Sequence, residues 1–259
     1  MFQYAAAARL ARRHKTALLL AAPPMEGNRH SMYRLDIFRL NWGKLSNRYL
    51  TKISNILWRT KTYKNYSPGF HPEVLMLPRN SHVMGYFQSE KYFEDTSDCI
   101  RASFQRNRRT LPETTEEKNW RRQITESNSL CVHVRRGDFI GQNHQVCDAS
   151  YYRRGVEWVR SRIPSTKIFL FSDEIDWCRA EFDWDNCQPV SLKSHRRMDD
   201  REFFLMTQCK HFVISNSSFS WWAAWLGERK KADSIVIMPG SDWQLAKPGN
   251  SPESLIRVD

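Results

Sequence analysis

Nowhere does this sequence approach the roughly 18 consecutive apolar residues that a membrane-spanning helix needs. The apolar run Ala17 to Ala22 follows a basic cluster, as in a leader peptide, but it is too short and reads as helix followed by strand. Paired cysteines are missing as well. The six cysteines (99, 131, 147, 178, 187 and 209) stand singly, without C-x-x-C spacing or histidine partners, which excludes a zinc module and a disulfide framework. Cys131 sits in an apolar stretch, where a buried reduced thiol is expected, and the set points to a reducing, cytoplasmic compartment. Low-complexity tracts are absent, and 41% of residues are hydrophobic, so the chain should bury a core rather than stay disordered. No helix-turn-helix, zinc-finger or RNA-binding signature occurs.

A net charge of +12 spread over 259 residues asks for an anionic partner: nucleic acid, lipid headgroups or a phosphorylated ligand. The basic clusters, such as Arg153, Arg154, Arg160 and Arg162, read as solvated helix faces. Nucleic acid is therefore not expected. Peripheral contact with an anionic membrane on its inner face stays open, and oligomeric state is not readable. Ten tryptophans are many for this length, and core packing is the expected use of most. Asn65 and Asn216 head N-x-S sequons, the second inside the strongest motif of the chain.

Residues 4 to 14 carry helical spacing, and Thr16 to Ala21 reads as a buried strand. An irregular, aromatic-rich stretch follows, then helical segments around 90–109 and 113–127. After Asn128 strands alternate with helices: strands at Leu130–Val134, Lys167–Phe171, Gln188–Leu192, His211–Ser215 and Ser234–Met238, with helices between them. That alternation predicts an α/β fold, with a parallel sheet flanked by helices in a C-terminal half, 128–259, and a separate N-terminal half, 1–127.

Three motifs fall at predicted strand ends. HVRRGDF, His133 to Phe139, follows the first strand of the C-terminal half. Val132 and Val134 should pack on one face while His133 and Arg135 share the other. Open α/β sheets bind ligands just beyond the carboxyl ends of their strands, where an arginine can grip a diphosphate with two parallel bonds. An Arg–Asp pair that staples the loop explains the same residues equally well. In ISNSSFSWWAAWLG, Ile214 to Gly227, a strand runs into Ser217 and Ser218 at a helix N-terminus, either an anion cradle or plain capping. Trp221 and Trp225 share one helix face and should pack in the core. FSDEIDWC, Phe171 to Cys178, places Asp173 where a helix N-cap is the expected role, and where a ribose or base could also be held.

In this order, HVRRGDF, FSDEIDWC and FLMTQCKHFVISNSSFSWWAAWLG resemble the α-1,2-fucosyltransferase family, glycosyltransferase family 11. MFQYA, YRLDIF and GYFQSEKYF are similar to its N-terminal half, most of all in bacterial members. The resemblance implies a GT-B-type fold of two Rossmann-like halves with a cleft between them, the first taking the acceptor and the second GDP-fucose. It implies transfer of fucose to a galactose-containing glycan with inversion and without a metal or other cofactor, as in surface-polysaccharide synthesis. Arg135 is then the expected β-phosphate clamp, with Arg136, Ser217, Ser218 and Phe219 at the donor and His133, Asp173 and Glu202 placing the nucleotide. Asp138 and His144 are both candidates for the base. Glu202 stands where the family commonly has Asp. No DxD motif is present; Asp199-Asp200 lies ahead of a helix and reads as capping. Family members also carry a Gly-Gly-Leu-Gly-Asn-Gln run before MFQYA, where this chain has Met1. A first strand and glycine loop are therefore expected to be absent, and an inactive nucleotide or glycan binder is the alternative.

Overall fold

The computed structural model describes residues 1–21, 34–40, 43–45, 61–67, 69–137, 140, 147–192, 197–228, 233–240 and 256–258. The chain divides into two compact units, the first covering Met1–Leu111 and the second chiefly Pro112–Lys247.

In the first unit, helix α1 (Phe2–Arg13) ends on Arg12 and Arg13, cations that suit the negative end of a helix dipole. Strands β1 (Leu19–Ala21) and β2 (Gly43–Leu45) pair in parallel. So do β3 (Lys61–Asn65) and β4 (Ser81–Gly85). The Gln3 amide donates to the Gly85 carbonyl at 2.7 Å, tying α1 to the end of β4. The helical expectation for 90–109 resolves into 3₁₀ turns at Glu90–Tyr92 and Glu94–Thr96, then the short α2 (Ser97–Ser103).

Helix α3 (Thr115–Thr125) belongs to the second unit, so the break falls at residue 111 and not near 127. A reciprocal capping box starts it: Thr114 Oγ1 accepts from Glu117 N–H at 3.2 Å and Glu117 accepts from Thr114 N–H at 2.9 Å. Glu117 also pairs with Arg201, and Trp120 meets Phe169 edge-on at 6.4 Å. These buried contacts draw the helix to the second core.

That core is built on strands β5 (Ser129–Val134), β6 (Lys167–Ser172), β7 (Cys187–Pro189), β8 (His211–Val213), β9 (Val236–Pro239) and β10 (Ile256–Val258). Their spatial order is β10-β9-β8-β5-β6-β7, every pair parallel. The chain winds outward from β5 to β7, returns to the other side of β5, and winds outward again, the doubly wound Rossmann order. All of β5 is buried, as a central parallel strand covered on both faces must be. Beyond the expected strands, β10 adds an edge that the short Ile256–Val258 does not announce in sequence.

Helices α4 (Ala149–Arg162) and α5 (Ile175–Glu181) cover one face. There Val132, Val134, Leu170, Val213 and Ile237 pack with Tyr152, Val156, Val159 and Phe182. Burial of each such side chain contributes about 1.5–3 kcal/mol. Gly155 permits the approach, since a Cβ there would lie 2.9 Å from Val213 Cγ1. Helices α6 (Met198–Met206) and α7 (Ser218–Glu228) belong to the opposite side, where a Cβ on Gly227 would meet Phe212 at 2.6 Å. Trp221, Trp222 and Trp225 are all buried, with the rings of Trp221 and Trp225 stacked, as core packing requires.

Candidate active site

The carboxyl ends of β5 and β8 meet where the winding of the sheet reverses. His133 is the penultimate residue of β5, and its Nδ1 lies 2.9 Å from Ser215 Oγ, two residues past β8. Its ring is 5.7 Å from Phe219, which in turn meets Phe203 of α6 edge-on at 5.3 Å. Burial, with the Arg135 charge adding to it, lowers the His133 pKa to about 3. The imidazole is therefore neutral across the physiological range.

Ser215 leads directly into the start of α7. Ser217 Oγ accepts from Phe219 N–H at 3.3 Å, while Ser220 Oγ donates to the Ser217 carbonyl at 3.1 Å. Ser217 is buried and Ser218 is exposed at the first position of the helix. Tyr151 fixes this segment from the other face, its hydroxyl donating to the Ile214 carbonyl at 2.6 Å.

A second knot forms between the ends of β5 and β6. Asp173 takes N–H donors from Arg136 and Gly137, each at 3.1 Å, and its Oδ2 lies 3.3 Å from Arg135 Nη1. The expected N-cap role of Asp173 is corrected: Glu174 occupies that position, and Asp173 turns to the loop instead. Glu174 binds Arg136 Nε at 3.1 Å, and the Arg136 guanidinium lies 3.7 Å from the centre of the Trp177 ring. Both arginines of the motif are thus oriented by the strand end beside them. Gly137 leaves room for this, because a Cβ would stand 3.1 Å from Asp173 Oδ2.

Glu202 lies on α6, half-buried. Burial first, and the neighbouring Asp199 second, raise its pKa to about 7, against a hydrogen bond from Leu192 N–H. Asp199 and Asp200 lie in the first turn of this helix, where acidic side chains suit the positive end of the dipole. Its N-cap is Arg197, in the left-handed region at φ 66°, and Arg197 Nε bonds Asp200 at 2.6 Å. Asp138 and His144 lie outside the described residues. Ser215, Glu174, Trp177 and Tyr151 were not singled out from sequence; Ser215 sits inside a motif, but its partner is 82 residues away. Among the described residues no three His, Cys, Asp or Glu side chains gather as a metal site, and no helix is long and apolar enough to cross a membrane.

These strand-end motifs lie within a segment, residues 37–248, that matches the family model described as glycosyl transferase family 11. The chain belongs to glycosyl transferase family 11. It is 28% identical over 195 residues to an alpha-1,2-colitosyltransferase of Escherichia coli, covering 68% of this chain and 62% of the relative. It is 27% identical to the O-antigen biosynthesis glycosyltransferase WbnK of Escherichia coli, across 92% of this chain and 89% of the relative. A galactoside 2-alpha-L-fucosyltransferase, SEC1 of Bos taurus, is 34% identical over 46% of this chain, and the match spans 34% of that protein. The chain thus spans under two thirds of the first and third of these relatives. Among solved structures, the fucosyltransferase NodZ from Bradyrhizobium is similar at TM-score 0.44 and 12% identity, with 86% of each chain covered.

Proposed function

We propose that this chain transfers fucose from GDP-fucose to a hydroxyl of a galactose-containing glycan, forming an α-1,2 linkage with inversion and without a metal. One observation carries the reading: the His133–Ser215 joint lies at the carboxyl ends of adjacent strands where the sheet's winding reverses, the place where open α/β sheets take nucleotides. An arginine and a serine-lined helix start stand beside it, and the family is one of glycosyl transferases.

In the reaction the acceptor oxygen attacks the fucose anomeric carbon while the bond from that carbon to the β-phosphate oxygen breaks. The electron pair leaves with GDP, and the hydroxyl proton passes to a base, for which Asp138 and His144 are the candidates. Charge grows on the β-phosphate, so a fixed cation there lowers the barrier. Arg135 has that role, oriented by Asp173, with hydroxyls of Ser217 and Ser218 and the first N–H groups of α7 as further donors. His133, held neutral, and Phe219 shape the floor on which the nucleotide rests, Arg136 braces the loop, and Glu202 helps to place the nucleotide. The glycan product belongs to a surface polysaccharide, the class that the name of WbnK indicates for that relative.

Calorimetric titration with GDP in the presence of EDTA should retain binding, and GDP-fucose should be turned over on a galactoside. Strict dependence on magnesium or manganese would rule out the metal-free mechanism. Loss of GDP affinity alongside steeply salt-dependent binding of DNA would rule out the whole reading.

A further inference from the structure

The geometry points to Tyr66 and Tyr86, in the first unit, as a stacking platform that receives the sugar of a galactoside acceptor; this rests on the transferase reading above. Strands β3 and β4 pair in parallel register, Asn65 opposite Gly85, so the residues that follow leave the same edge side by side. Those residues are Tyr66 and Tyr86. Their rings meet edge-to-face at 5.5 Å and 75°, and both are more than half exposed, 51% and 58%.

Two devices hold these rings out in water. After β3, Asn65 Oδ1 accepts from Ser67 N–H at 2.8 Å, a tight turn with Tyr66 at its tip. After β4, Phe87 adopts φ 51°, a conformation that a bulky residue enters only under strain. The strained turn buries Phe87 against Tyr92 at 5.5 Å and leaves Tyr86 outside. Gly85 is buried and anchored by Gln3, and a Cβ there would come within 1.9 Å of the Asn65 carbonyl oxygen. Strain of this kind persists where surrounding structure enforces it, and it gathers at ligand sites.

The corner between the rings combines an apolar ring face with two phenolic hydroxyls. A pyranose has the matching chemistry, with C–H bonds on one face and hydroxyls around its rim, as galactose shows when it lies on an aromatic ring. An aromatic contact of this type accounts for about a fivefold to tenfold change in affinity. Tyr63 OH, which donates to Glu73 at 3.0 Å, supplies a polar border to the same strand pair.

Saturation-transfer NMR on the full chain, irradiating aromatic protons with lactose as the probe, reads the contact without turnover. The wild-type protein should transfer saturation to the galactose protons, and Tyr66→Ala or Tyr86→Ala should weaken lactose binding read from that signal by about fivefold to tenfold while Tyr→Phe at either position retains it. In assays with GDP-fucose, the KM for lactose should rise about fivefold to tenfold in each alanine variant, with kcat and GDP affinity unchanged. No saturation transfer in the wild type, or an unaltered signal in the folded double alanine variant, overturns the platform. So does a loss of GDP affinity in either variant. If lactose contact is present and tyrosine-dependent but no fucose moves, the platform stands and the transferase reading falls.

Discussion

His133 Nδ1 and Ser215 Oγ, 82 residues apart in sequence, are joined at 2.9 Å across the two central strands. The bond satisfies a histidine that is only 6% exposed and whose pKa burial lowers to about 3. The unfolded chain binds that proton near 6.5, so unfolding takes up a proton between these values. Stability from this group is full above about 6.5 and is lost as pH falls toward 3. His133→Gln keeps a hydrogen bond to Ser215 and cannot titrate. Urea unfolding between pH 4 and 7, measured at about half-unit steps, should show a shallower acid slope in His133→Gln than in the wild type.

Glu202 works in the opposite sense. Its carboxyl titrates near 7 in the folded protein against 4.5 as the ordinary value, so the folded state holds the extra proton between them. Stability from this group is full below about 4.5 and is lost as pH rises through 7. Glu202→Gln preserves an oxygen for Leu192 N–H and removes the charge. Relative to the wild type its melting temperature should gain more at pH 8 than at pH 5; an equal difference at both would remove the titration from Glu202.

Arg135 and Asp173 are separable by substitution. Arg135→Lys keeps a cation but loses the planar fork, and turnover should fall on the order of 10²- to 10³-fold with the fold intact. Asp173→Asn keeps one acceptor for the loop amides and gives up the charge facing Arg135, so its loss should be smaller and should fall on kcat more than on KM. Steady-state kinetics beside circular dichroism would decide. Near-normal turnover in a folded Arg135→Lys protein removes Arg135 as the clamp.

The pair formed by Glu117 and Arg201 is the buried charge on which α3 depends, with side chains 0% and 10% exposed. Removing one partner from such a pair costs about 3–5 kcal/mol, because the other charge is left in the core. Glu117→Ala should therefore lower the denaturant midpoint steeply. Arg121→Ala, which removes the exposed partner of Glu113 just ahead of the same helix, should shift it far less, since a pair with one end in water contributes about 1 kcal/mol or less.

Gly155→Ala sets two effects against each other. Helix propensity favours alanine by about 1 kcal/mol, while a methyl 2.9 Å from Val213 Cγ1 overpacks a rigid site at a cost of about 1–3 kcal/mol. Val213 is β-branched and fully buried on a strand, so it has little room to give way. The substitution should destabilise, and Val213→Ala placed on top of it should cost less than Val213→Ala alone.

Much of the second unit was legible because β5, β6 and β8 are short apolar runs, each closed by a polar motif, whereas Cys187–Pro189 and Ile256–Val258 carry no such signal. Val132 and Val134 pack on one face with α4, and the neighbouring His133 turns away toward Phe219, as alternation along β5 requires. The partners of these residues were not legible. Asp173 looks like a helix cap from its neighbours in sequence, and only the meeting of β5 and β6 turns it to Arg136 and Gly137. The pairing of Glu117 with Arg201 likewise needs a helix to be packed before it exists. In the first unit, turns of three residues such as Glu90–Tyr92 are too short to show a period, so a helical reading overshot them.

Among the described residues the two outermost strands of the large sheet, β7 and β10, differ in character. On one side β7 is three residues long and ends at Pro189, which has no N–H to offer a neighbouring chain. On the other, Ile256–Val258 pairs along β9, whose Val236, Ile237 and Met238 are fully buried. The pairing of Ile256–Val258 therefore covers the main-chain side of β9: without it an apolar ribbon with open main-chain donors and acceptors would be bare, a ready template for copies to zip together.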